Sequence, residues 1–188
     1  MSESILQSIR ERQAEMEDFF HRILRSATYT QDENSILHHL SPSLESCDWA
    51  RKEVAFRYRV RPWQLNPQKG CHGGILATMV DTTMGMLAMY FSQGSFVSTL
   101  NLSVNYIRPV PAGSEVITRV RSSFHNETSV LLSCEVVVAE SGTVACTAVA
   151  SYVILQGKPV QLPCCPRPKS ERKSPPASPA GFHFRTGD

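Results

Sequence analysis

The run HGGILATMVDTTMGMLAMYF, residues 72–91, decides how the rest of the chain is read. It is too long for a strand and lacks alternation of period two, so it is expected to form a helix over about Gly74–Phe91. Ile75, Leu76, Met79, Val80, Met84, Met86, Leu87 and Met89 lie all round that helix, which should therefore be buried on most sides. Ala77, Asp81, Gly85 and Ala88 make a stripe of small side chains along it, where another backbone can come close. The methionines suit either plain core or an adaptable apolar lining.

Outward from this helix the period changes. Phe96, Leu100, Leu102, Val104 and Tyr106 mark a strand ended by Pro109 and Pro111, and strands are expected at Glu115–Phe124, Thr128–Ala139 and Thr143–Leu155. The last two carry apolar residues on both faces, the pattern of central strands covered by a helix. Upstream, a modest strand at Leu44–Asp48 leads to Glu53–Arg61, where Val54, Phe56, Tyr58 and Val60 alternate with Ala55, Arg57, Arg59 and Arg61. Ile5, Ile9, Met16, Phe20 and Ile23 recur at helical spacing over about Ser4–Arg25, and Ile36–Leu40 adds a short turn of helix. The sum is an α+β domain: a long antiparallel sheet against one hydrophobic helix, with an added N-terminal helix.

The 188 residues are 41% hydrophobic and 19% charged, which suits one globular domain. Lys and Arg exceed Asp and Glu by 19 to 17, a balance that argues against a dedicated nucleic-acid binder. Residues 157–188 hold seven of the 12 prolines and a basic excess, and are expected to be a disordered tail. The division is then 1–42 for the N-terminal helix and linker, 43–156 for the domain and 157–188 for the tail. Six cysteines without a CxxC pair read as reduced thiols, with Cys164 and Cys165 incidental. The charged start, MSESILQSIRERQ, lacks the apolar stretch of a signal peptide, and no run of 18 apolar residues marks a membrane span. A cytoplasmic location is expected, with mitochondrial or other organellar import left open.

Two places invite chemistry. At the start of the central helix the first N–H groups have no intrahelical acceptor and the peptide dipoles add positive charge. Gly73 and Gly74 would let a ligand oxygen approach those groups, although a glycine pair also suits a tight turn. Asp81 lies midway along the same helix, where a buried carboxylate without a partner would be costly. Positions 77, 78, 84 and 85 hold no Lys or Arg to pair with it, so neighbouring threonines, or a role as base or nucleophile in a cleft, remain. Asp81 is eight residues beyond Gly73, roughly 12 Å along a helix. The two can serve one ligand only if they come from different subunits, with two such helices antiparallel across a two-fold axis.

The run NPQKGCHGGILATMVDTTMG, followed by Tyr106-Ile107-Arg108-Pro109, resembles the signature of the PaaI-like acyl-CoA thioesterases of the hotdog superfamily. The resemblance covers about Leu44 to Leu155. It implies a helix wrapped by a long antiparallel sheet, and sites built between paired subunits. It implies hydrolysis of acyl-CoA, or of an acyl carrier protein thioester, to free acid and thiol. By resemblance, Asp81 would be general base or nucleophile, and Gly73 N–H would polarise the carbonyl. Asn66 would orient substrate or water and Thr99 would assist; His72 and Gly74 are expected to contact substrate, as is Arg108, whose place at a strand end suits the phosphates of a coenzyme A arm.

His72 reads better as a neutral residue that fixes the loop than as a base, because the helix dipole disfavours its charge. Cys71 beside it is a poor nucleophile candidate, and no metal-ligand spacing occurs. No cofactor is expected beyond the coenzyme A or phosphopantetheine of the substrate. A homodimer, or a dimer of dimers, is the expected assembly. Alternatives are another hotdog acyl-thioester enzyme such as a dehydratase, and a non-catalytic acyl-CoA-binding or scaffold protein.

Overall fold

The apolar run forms α3, Gly73–Phe91, and its all-round hydrophobicity is used by a sheet that curls about it. Leu76, Met79, Val80, Met84, Met86, Leu87 and Ala88 are buried there. The computed structural model describes residues 3–26 and 32–159, with side chains through Leu155. In chain order α1 is Glu3–Arg25, α2 Ile36–Leu40, β1 Ser43–Asp48 and β2 Glu53–Arg59. A 3-10 turn at Pro62–Gln64 precedes α3, and β3 Ser95–Tyr106, β4 Glu115–His125, β5 Ser129–Val138 and β6 Thr143–Pro159 follow it.

All six strands join one antiparallel sheet in the order β1-β2-β4-β5-β6-β3. The central position expected for β5 and β6 is observed. Their outward apolar residues divide, with Val137 buried and Leu131 and Val149 exposed. β6 continues to Pro159, pairing with the start of β3, instead of ending near Leu155. The remainder of the expected tail, with Cys164 and Cys165, lies outside the described residues.

One buried polar chain crosses from helix to sheet. Thr83 Oγ1 donates to the Met79 carbonyl at 3.0 Å, which leaves it to accept from Tyr58 Oη at 2.8 Å and from Thr118 Oγ1 at 2.7 Å. Thus the one buried threonine of α3 is satisfied at every contact, as burial of a hydroxyl requires.

The N-terminal segment shares the same core. Met16, Phe19, Phe20 and Ile23 of α1, with Leu37 and Leu40 of α2, are buried in it. Phe20 packs edge-on to Phe56 of β2 at 5.6 Å, and Phe19 to Tyr90 of α3 at 5.4 Å. Gln13 fixes α1 to the end of β1, its Nε2 donating to the Cys47 carbonyl and its Oε1 accepting from Trp49 N–H. α2 begins at Ser35, whose hydroxyl accepts from Leu37 N–H, and ends at Ser41 in the left-handed region.

Candidate active site

The loop before α3 is closed by Asn66. Its Oδ1 accepts from Gly70 N–H at 3.1 Å and its own N–H donates to the Gly70 carbonyl at 2.8 Å. Next, Cys71 N–H donates to the Val110 carbonyl and His72 N–H to the Gln64 carbonyl, both at 2.8 Å. The loop is thereby held from two sides, and Asn66 acts on it from within.

His72 is the N-cap of α3. Its Nδ1 accepts from Gly74 N–H at 3.0 Å, so in this arrangement that nitrogen carries no proton. The cap takes up the Gly74 N–H that a ligand would otherwise use. The Gly73 N–H meets no acceptor among the described residues. Both glycines also have packing reasons. A Cβ at Gly74 would lie 3.1 Å from His72 Nδ1, and one at Gly73 would lie 3.3 Å from the Tyr106 ring, whose hydroxyl donates to the Gly73 carbonyl at 2.7 Å.

Two turns further on, Asp81 is only half-buried and is not left without partners. Tyr152 Oη donates to Asp81 Oδ1 at 2.7 Å, and Thr99 Oγ1 donates to the same oxygen at 3.1 Å. The unpaired burial that the sequence suggested is therefore relieved by hydroxyls from the sheet, not by threonines on its own turn. Oδ2 has no donor among the described residues, so it is the oxygen left for a water or a substrate.

The convergence of the two hydroxyls follows from sheet register. Thr99 of β3 and Tyr152 of β6 are direct antiparallel partners, hence on one face. A bulge between Thr99 and Asn101 interrupts the pairing immediately beyond them. Burial first, then the Asp81 hydrogen bond and charge, push the Tyr152 pKa well up, so this hydroxyl remains a donor. Tyr152 is the site residue that sequence reading missed. A buried tyrosine hydroxyl needs a partner, but only the β3–β6 register identifies Asp81 as that partner.

The structure thus brings Asp81, Thr99 and Tyr152 together, and separately gathers Asn66, His72, Gly73 and Gly74. The clusters lie roughly 12 Å apart along α3. Arg108 is in neither, being exposed beyond β3 with Nη1 donating to the Val144 carbonyl at 3.2 Å. Burial pushes the Cys71 thiol up to about 11, which keeps it protonated near neutral pH.

Asp81, Thr99 and Tyr152 open onto an apolar cavity of about 250 Å³. A larger cleft of about 660 Å³ lies between the end of α3 and the β4–β5 turn. That cleft contains none of the expected site residues. Its His125 ring stacks on Phe91 at 4.0 Å, and burial lowers the histidine's pKa.

A helix wrapped by an antiparallel sheet, with a half-buried carboxylate midway along it and a capped glycine start, defines a hotdog fold. Residues 68–145 match the family model of the thioesterase superfamily. Acyl-coenzyme A thioesterase THEM4 of Xenopus laevis is 33% identical over 87 residues, covering 46% of this chain and 38% of that protein. The chain spans about a third of the length of the curated relatives it matches. The PaaI protein of the Escherichia coli phenylacetic acid degradation operon superposes with a TM-score of 0.61 at 18% identity, over 73% of this chain and 96% of that one. A phenylacetic acid degradation-related protein of Ralstonia eutropha JMP134 gives 0.60 at 24% identity, over 72% and 99%. Residues 68–145 are thus similar to the thioesterase superfamily, and the two solved structures share the hotdog fold of this chain.

Proposed function

We propose that this chain hydrolyses acyl thioesters of coenzyme A, or of a phosphopantetheine carrier, to a carboxylic acid and a thiol. The observation that carries this is the Asp81 carboxylate, which lines an apolar cavity and takes two hydroxyls on Oδ1, leaving Oδ2 without a donor among the described residues. The match of residues 68–145 to the thioesterase superfamily and the name of the Xenopus laevis relative support the substrate class.

Asp81 is too far along α3 to reach a carbonyl bound at its own helix start, so the complete site takes two chains. The edge strand β3 supports this assembly. It is 12 residues long, and Leu100 on it is 66% exposed. A long edge of this kind, unpaired among the described residues, is suited to antiparallel pairing with a second copy. In the resulting dimer, Asp81 Oδ2 takes a proton from a water as that water attacks the thioester carbon. The carbonyl oxygen gathers negative charge against the partner's Gly73 N–H. Losing one such donor typically costs about 3–4 kcal/mol in the transition state. Collapse of the tetrahedral intermediate breaks the C–S bond, re-forms the carbonyl and releases the thiolate, which takes up a proton. A direct attack by Oδ2 on the carbonyl, followed by hydrolysis of the mixed anhydride, uses the same geometry.

Asp81→Asn preserves the shape and both hydroxyl contacts but removes the base. Hydrolysis of acyl-CoA, followed by thiol release, should fall at least about a thousandfold, while acyl-CoA binding persists. Turnover within a few fold of the wild type would overturn the assignment. Binding by a wild-type chain that releases no thiol from any thioester would favour the non-catalytic reading.

A further inference from the structure

On the reading of the site as a thioester hydrolase, we infer that the N-terminal segment supplies the far wall of an acyl-chain pocket, which selects uncharged acyl groups of medium length. The cavity beside Asp81 follows one face of α3 through Gly85 to Met89, positions spaced by four, over roughly 12 Å. Its polar lining belongs to the Asp81 neighbourhood: Asp81 itself, Thr82, Thr99 and Tyr152. The rest is hydrocarbon and thioether. Met86 and Val97 line it from helix and sheet, and Ile23, Ile36 and Leu37 close it from α1 and α2. The three closing residues lie outside the 68–145 family match, so this wall is an addition to the matched domain.

The chemistry of the lining fixes the class of occupant. Among the described residues Asp81 is the one charged residue of the cavity, so a carboxylate at the far end of an acyl group would meet no counter-charge from them. At about 250 Å³ the space lies just below the usual range for pockets that hold a drug-sized ligand, which favours a medium chain over a long one. Gly85 marks its depth. A Cβ there would meet only Tyr152 Cε1, at 3.9 Å, so the room beside this mid-helix glycine is pocket space. At the rim Ile36 is 53% exposed, an apolar side chain that an acyl chain would cover.

The test uses the full chain with acetyl-, hexanoyl-, decanoyl-, palmitoyl- and succinyl-CoA. The wild type is expected to have its highest kcat/KM with hexanoyl or decanoyl, and to cleave succinyl poorly. Gly85→Leu fills the pocket and should lower the decanoyl-to-acetyl ratio of kcat/KM about tenfold or more. Ile36→Ala opens the rim and should raise the palmitoyl-to-decanoyl ratio; because Ile36 is exposed, the fold is kept even if Gly85→Leu packs poorly. Parallel chain-length profiles for the wild type and both variants would overturn the pocket while leaving the hydrolase reading intact. If no thioester is cleaved, the hydrolase reading fails instead. Calorimetry of Asp81→Asn with the same thioesters then judges the pocket. Tightest binding of the medium chains, lost with Gly85→Leu, supports it, and chain-independent binding overturns it.

Discussion

Asp81 sits half-buried on α3, and two hydroxyls from the sheet decide how its carboxylate is turned. The shorter contact, from Tyr152 at 2.7 Å, comes from a buried ring on a central strand, whereas Thr99 is exposed. Tyr152 should therefore do more of the positioning. Removing its hydroxyl in Tyr152→Phe forfeits a charge-assisted hydrogen bond, about 1.5–3 kcal/mol. That corresponds to a loss of roughly ten- to a hundredfold in kcat with KM little changed; Thr99→Ala should cost less. A Tyr152→Phe enzyme with wild-type kcat would show that Thr99 alone suffices. Asp81 was legible in the sequence because a carboxylate inside an apolar run has no local partner. Tyr152 was not, because its place opposite Thr99 depends on how β3 and β6 slide past each other, and a shift of one residue would send its side chain to the other face.

At the scale of elements, the start of α3 is held by a histidine where a serine, threonine, aspartate or asparagine is usual. His72→Ala should cost about 1 kcal/mol of stability in chemical denaturation, and His72→Asn should restore most of it with turnover kept within a few fold. A stable His72→Asn protein without activity would give the imidazole a chemical role. Elsewhere, Arg57 of β2 bridges Glu45 of β1 and Glu115 of β4 at 2.8 and 2.7 Å. Its hydrogen bond to Glu45 holds that carboxyl below its ordinary value of 4.5. A lowered folded-state value stabilises above that pH, and the gain is lost as pH falls through the folded value. Arg57→Met should thus lower stability slightly at pH 7, the pair being well screened by solvent. The difference from wild type should shrink at acid pH; a deficit as large at pH 3 would point to lost packing instead. Period and proline placement made most element bounds legible. The extension of β6 to Pro159 was hidden because proline argues against a strand, whereas here it falls at the strand end.

At the scale of the molecule, one chain displays a carboxylate and a helix start that cannot meet within it. Helix rise alone made that separation legible, and on the proposed function it calls for a second copy. The role of the N-terminal segment was not legible, because the apolar stripe of α1 signals burial without naming what it is buried against. Ile23 closes one side of the cavity while Phe20 packs on the core, a division that only the tertiary placement reveals. The shared site is tested most directly by mixing two crippled chains. Asp81→Asn removes the base, and Asn66→Ala removes the side chain that closes the loop before the glycines. Each homodimer should be nearly inactive, whereas a purified mixed dimer should regain about half of the wild-type turnover, from its one intact site. Verified mixed dimers no more active than either parent would contradict a site assembled from both subunits.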